Sequence, residues 1–368
     1  MTRRVGLPRA IALVAGGILL ALLLIEGGLR AMPQYLPRDA KLALDLFQMR
    51  VAQDSAREED PELGSKLKPN SDVLIEGHPE YRFHIKTFLN FPDAGFRGNV
   101  EPRAPVGVAI GDSFTFGRGV EAEEAWPEQL SQLAGRNFAN LGVGGYGPQQ
   151  YTAVLRRYGL ALHPKIVLYA TYPSNDLRDA ALFAKWQQEG GAKKERFAAE
   201  SRHFLARHSR LYQLLLHPKM RGDVQDPNVL VMWEEVLPAK LRNIAWQAMR
   251  DALLSAQRLT QEAGGTLVVV LAPSKAQAYR MSRPWAEGDT RQFLRLCEEV
   301  RVRCLDLIPR FQERTLAGEQ LYFRMDDHWN AAGHRLAART IYDYLVSQRL
   351  LPEASGALSG GFHPRYQR

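Results

Sequence analysis

Val106-Gly107-Val108-Ala109-Ile110 runs directly into Gly111-Asp112-Ser113. A short apolar run stopped by turn residues reads as a buried strand, and the serine follows at its carboxyl end. Working outward, strand-like runs alternate with helical patterns. Trp126–Leu133 is helical, Asn137–Leu141 a strand, Gln149–Leu162 helical and Ile166–Tyr172 a strand. Beyond these come a long helix over 241–263, a strand at Leu267–Ala272, a helix near Arg291–Val300, a strand at Cys304–Ile308 and a closing helix over 331–346. Strands alternating with helices predict an α/β domain with a doubly wound, mainly parallel sheet of five strands. In such sheets the loops at the carboxyl ends of the strands form the ligand crevice.

The flanks have a different texture. Arg3, Arg4 and Arg9 precede a run free of charge from Ala10 to Ile25, closed by Glu26 and Arg30. The stretch is long enough to cross ~30 Å of hydrocarbon, and the leading arginines favour a cytoplasmic N-terminus with the rest of the chain outside. A cleaved signal peptide is the rival reading, but the residues after the run lack a clean small-x-small site. Residues 1–31 are therefore expected to be a tail and a single transmembrane helix. Residues 32–103, rich in Pro, Asp, Glu and Arg and periodic only over Ala40–Ala52, read as a stalk and entry segment. Residues 104–350 form the catalytic domain, in which 178–238 is a helical insertion that could be a lid, and 351–368 is a flexible tail.

At 45% hydrophobic and 24% charged residues the chain can bury a full core. Its net charge of +8 owes part of its size to the N-terminal arginines, and the other basic residues are dispersed among acidic ones. That pattern fits solubility near an anionic surface; nucleic-acid binding is not expected. Cys297 and Cys304 could form a disulfide outside the cytoplasm, or be two buried apolar thiols. No zinc site follows from two cysteines without a histidine pair, and no cofactor is implied.

Four blocks carry chemistry, each at the carboxyl end of a predicted strand: Gly111-Asp112-Ser113, Asn140-Leu141-Gly142-Val143-Gly144-Gly145, Pro173-Ser174-Asn175-Asp176 and Asp326-Asp327-His328-Trp329-Asn330. Taken singly, they are a turn, a glycine loop, a helix cap and a surface loop. Together they supply a nucleophile, backbone donors, a side-chain donor and a base. Asp326 shares the side of His328 in an extended loop, whereas Asp327 would project away, so Asp326 is the expected orienting carboxylate. Asp112 is expected to tie down the turn around the nucleophile.

These blocks resemble the SGNH (GDSL-like) hydrolase superfamily over residues 106–346. The resemblance implies a flavodoxin-like three-layer α/β/α sandwich, with Ser113 as nucleophile, His328 as base, and Ser113, Gly145 and Asn175 supplying the oxyanion hole. Pro173 stands where the family commonly has glycine, and Met325 where it has the orienting Asp. The Asp326-x-His328-Trp329 spacing resembles instead the alginate O-acetylation proteins and their extracellular polysaccharide-modifying relatives, as do Pro273-Ser274-Lys275 and Tyr279. In those proteins the Asp-x-His element precedes the serine motif; here it follows. The implied function is a membrane-anchored serine esterase acting on acyl, chiefly acetyl, esters of cell-envelope carbohydrate or lipid. The alternative is an O-acyltransferase modifying an extracellular polysaccharide with the same triad. A non-catalytic assembly subunit is the third reading.

Overall fold

The computed structural model describes residues 7–98, 105–190, 208–215, 237–282 and 284–352. Helix α1, Leu7–Ala31, includes a stretch from Ala10 to Ala31 of mean hydropathy 2.4 whose apolar residues are left unburied by the rest of the fold. Among the described residues it is the one helix long and apolar enough to cross a membrane.

Residues 33–98 differ from the expected stalk. Helix α2 (Arg38–Ser55) leads into a hairpin of β1 (Arg57–Asp60) and β2 (Gly64–Leu67). An antiparallel three-stranded sheet of β3 (Asp72–Ile75), β4 (Phe83–Asn90) and β5 (Gly95–Arg97) follows. In β4, Phe83, Ile85, Thr87 and Leu89 are buried while His84 and Lys86 face out, a period of two confined to one strand. Leu46, Met49, Phe83, Ile85 and Phe96 share a continuous apolar core with the main sheet. The alternation is real but lasts only a few residues between charged ones, which is why the segment reads as a linker in the sequence.

The main sheet follows the expected order of elements. Strand β6 (Gly107–Ile110) gives way to a short helix α3 (Ser113–Phe116), then α4 (Trp126–Ala134) and β7 (Phe138–Asn140). Helix α5 (Pro148–Val154) precedes β8 (Ile166–Thr171), and α6 (Pro173–Gln188) follows it. After α7 (Arg210–Leu215) come α8 (Ala239–Glu262), β9 (Thr266–Leu271), α9 (Lys275–Ala278), α10 (Pro284–Glu299) and β10 (Arg303–Asp306). Helices α11 (Ile308–Leu316) and α12 (Ala331–Ser347) complete the domain.

All five strands are parallel, in the order β10-β9-β8-β6-β7. This is the flavodoxin order, in which the succession of strands reverses between β6 and β8. Strand residues alternate between two cores: Val108, Tyr169 and Val269 face one layer with Tyr151, Met249, Leu253 and Phe293, while Ala109, Leu168 and Val268 face the other with Trp126, Phe311 and Leu345. Burial on both faces explains why these strands read as unbroken apolar runs.

Cys297 and Cys304, at the end of α10 and within β10, are joined through sulfur with Cα atoms 6.2 Å apart. Of the expected insertion, α6 continues through Gln188, and α7, holding Leu211–Leu215, packs beside α1 and α2. Glu26 near the end of α1 accepts the backbone N–H groups of Arg210 and Leu211. Lys193–Arg196, Leu216 and the expected tail from 353 lie outside the described residues.

Candidate active site

Ser113 opens α3 at the end of β6, the strand beside the reversal of strand order. Asp112 caps that turn by accepting the Phe114 N–H at 2.9 Å and receives the Asn175 amide at 3.3 Å. Gly111 is required before it: a Cβ there would strike the Thr115 side chain and lie 2.7 Å from the Ala170 carbonyl. Burial pushes the Asp112 carboxyl up to about 6, against the Phe114 N–H, His328 and Asn175, which pull it down.

His328 reaches this turn from 215 residues away, with Nε2 2.7 Å from the Ser113 Oγ. Its other ring nitrogen, Nδ1, makes a short contact with Asp326 Oδ1, which also accepts the His328 backbone N–H at 2.9 Å. The imidazole stacks on Phe114, ring centres 5.0 Å apart, and Trp329 meets the Phe114 ring edge-on at 4.9 Å. Asn330 caps α12 by accepting the Ala332 and Gly333 N–H groups, which anchors the loop downstream. Asp327 lies 3.9 Å from the Lys275 ammonium.

Asp326 is almost wholly buried, and burial alone would raise its pKa. The His328 imidazole, the Arg118 guanidinium 3.8 Å away and a hydrogen bond from Tyr81 prevail, holding it well below the ordinary carboxylate range. The carboxylate is therefore ionised and turned toward the ring nitrogen of His328. A third buried carboxyl, Asp176, accepts from the Thr171 hydroxyl, the Tyr172 N–H and the Tyr151 hydroxyl. Those bonds fix the first turn of α6 and with it the neighbouring Asn175.

Ser113, His328 and Asp326 thus stand in one hydrogen-bonded row at a cavity of about 850 Å³, and Gly145 and Asn175 line the same cavity. Gly145 has φ +81°, a left-handed conformation that favours glycine. Gly144 approaches Ser113 more closely: a Cβ on it would lie 3.6 Å from the serine Cβ. No group of three or more His, Cys, Asp or Glu suited to a metal ion occurs among the described residues.

The sequence reading missed what the N-terminal segment contributes. Arg57, Phe83 and Ile85 line the cavity, and Arg57 donates to the Gly144 carbonyl. Arg97, fully buried, donates to the carbonyls of His84, Phe116, Gly117 and Val120, binding β4 and β5 to the end of α3. Buried Lys275 donates to the carbonyl of Arg324 at 3.0 Å, bracing the His328 loop from the other side. Lone charged residues in a polar stretch carry no sequence signal of this kind; only the bracketing of Arg97 by apolar Phe96 and the alternation in β4 hinted at burial.

A family model described as the SGNH hydrolase-like domain of acetyltransferase AlgX matches residues 230–358, about a third of the chain. That span holds β9, β10 and the Asp326–Asn330 block but stops short of the Ser113, Gly145 and Asn175 blocks. No curated protein matches by sequence at a significant level. Among solved structures, a lipase/acylhydrolase from Enterococcus faecalis is 10% identical, covers 68% of this chain and 99% of its own, and has a TM-score of 0.41. A member of the lipolytic G-D-S-L family from Veillonella parvula is 15% identical, with 64% and 96% covered and a TM-score of 0.37. A mutant acetyl-xylooligosaccharide esterase from Geobacillus stearmophilus is 17% identical, with 64% and 92% covered and a TM-score of 0.38. The family match bears out the resemblance to SGNH hydrolases with an AlgX-like closing block, and with it the expectation of an SGNH-type esterase or acyltransferase.

Proposed function

We propose that this protein is a membrane-anchored serine enzyme that cleaves or transfers acyl groups, chiefly acetyl, on carbohydrate outside the cytoplasmic membrane. The observation that carries the reading is the row Ser113 Oγ, His328 Nε2 and Asp326 at the mouth of a cavity large enough for a sugar ester. Ser113 attacks the acyl carbonyl while His328 Nε2 takes the hydroxyl proton; Asp326 holds the imidazole in the tautomer with Nδ1 protonated and stabilises its charge. The developing oxyanion meets the backbone N–H groups of Ser113 and Gly145 and the second N–H of the Asn175 amide, whose first is engaged with Asp112. Collapse expels the alcohol, protonated by His328, and leaves an acyl ester on Ser113. Water, or a sugar hydroxyl activated by the same histidine, then resolves it.

The acetyltransferase description of the matched family supports an acetyl group. Helix α1 with its leading arginines supports an anchor with the domain outside, and the division into anchor (1–31), N-terminal segment (32–103), catalytic domain (104–350) with an insertion over 178–238, and tail (351–368) completes the proposal. The test is turnover of a chromogenic acetyl ester, with and without oligosaccharide acceptor. Acetate release alone marks an esterase, and acetylated sugar appearing at the expense of acetate marks a transferase. No turnover with either would leave the non-catalytic reading. For topology, alkaline phosphatase fused after Arg368 should be active, and a fusion active only in the cytoplasm would contradict the setting.

A further inference from the structure

Asp326 precedes His328 by two residues, and the consequence is geometric. One carboxylate oxygen, Oδ1, serves both the ring nitrogen and the backbone N–H of the same histidine, a closed local turn. Oδ2 is left facing away from that turn, and a buried carboxylate oxygen requires a donor. The donor comes from the N-terminal segment: the Tyr81 hydroxyl donates to Oδ2 at 2.7 Å. Tyr81 is itself locked, stacked on His78 at 3.8 Å between ring centres and tilted against Phe323 at 4.7 Å. Its neighbour Glu80 accepts the backbone N–H groups of Arg324 and Met325, the two residues before Asp326.

We infer that Glu80 and Tyr81, in the connection between β3 and β4, are positioning residues that clamp the loop 324–328 and set the pose of Asp326 toward His328. The inference rests on the triad reading above and extends it: the N-terminal segment completes the active site rather than merely linking it to an anchor. Arg118, 3.8 Å from Oδ2, adds charge to the same end. Burial, with the Asp326 charge beside it, raises the Tyr81 pKa, so the hydroxyl stays a donor throughout the working range.

The experiment is a double-mutant cycle on the full chain with a chromogenic acetyl ester. Tyr81→Phe keeps the ring and its stacking and removes only the donor. It should lower kcat about tenfold with KM within about twofold, since a charge-assisted bond to the orienting group acts on the transition state. In the Asp326→Asn background the same change should cost less than about twofold, because the group it acts through is already altered. Glu80→Gln should lower kcat by a smaller factor through the loop backbone. Full activity of Tyr81→Phe, or equal factors in both backgrounds, would overturn the inference. An Asp326→Asn variant as active as the wild type would instead overturn the triad reading itself, so the two failures are distinguishable.

Discussion

Two parts of the chain meet around the site: the carboxyl edge of the parallel sheet, which supplies Ser113, and the antiparallel segment 33–98, whose Glu80 and Tyr81 reach residues 324–326 and whose Arg97 reaches the end of α3. The first is built chiefly from strands buried on both faces, and the loops after β6, β7 and β8 carry the glycine, asparagine and aspartate residues of the site. The second is built from strands of three to eight residues, most of them only partly buried and interrupted by charge. The sheet edge brings the reacting groups together. The segment holds the surrounding turns, mostly through single charged or hydroxyl side chains that reach carbonyls, N–H groups or a carboxylate far away in sequence. Chemistry and its support thus come from regions of opposite texture, and substitutions in the two should fail differently.

The largest effect is expected at the sheet edge. Ser113→Ala removes the covalent step and little packing, so turnover should fall by ~10⁴ or more with the thermal midpoint unchanged. A variant that unfolds, or that keeps its activity, would break the division between chemistry and support. Next, Asp326→Asn should lower kcat by ~10²–10⁴ by favouring the wrong imidazole tautomer, while Asp327→Asn, which faces Lys275, should cost far less. Both changes remove one charge from one loop, so equal losses would point to a general field effect and an Asp327 excess would redraw the triad.

Where the segment only ties itself to the domain, as at Arg97, it should fail through stability. Arg97→Met leaves four carbonyls without their guanidinium donor, and a loss of about 3 kcal/mol or more in chemical denaturation is expected. Arg82→Met, at an exposed position in the same segment, should stay within about 0.5 kcal/mol. Similar values for the two would mean that the segment is only draped on the domain.

The smallest effect concerns Asp112, a support group inside the sheet edge. Its carboxyl is raised to about 6, so the folded chain holds the proton more tightly than the unfolded one. The sign follows: ionising it costs nothing below about pH 4, and stability relative to an uncharged residue declines as pH rises through the window up to about 6. Asp112→Asn should therefore gain on the wild type between pH 4 and 7 in denaturation midpoints. A constant difference across that range would show that the group does not titrate there.

Legibility followed the same divide. Ile166–Thr171 and Thr266–Leu271 were readable because two-faced burial leaves no charged residue to interrupt them, and the first three site blocks because turn chemistry at the ends of strands is local; the fourth, Asp326–Asn330, follows helix α11 rather than a strand. Asp326 could be preferred to Asp327 from extended-chain alternation alone. Tyr81, Glu80 and Arg97 were not readable, because their partners lie 245, 244 and up to 23 residues away and a charged residue in a polar stretch looks solvated. The resemblance implies Gly145 as the backbone donor, and the spacing alone does not show that Gly144 approaches Ser113 more closely.

The central claim is that Ser113 forms the acyl-enzyme with His328 as its base. The most direct measurement is peptide mapping by mass spectrometry after exposing the full-length protein to a fluorophosphonate, which marks serines activated in this way. The account predicts one stoichiometric adduct, on the peptide carrying Ser113, absent in Ser113→Ala and slowed by orders of magnitude in His328→Ala. Labelling of another serine, or labelling of Ser113 at the same rate without His328, would contradict it.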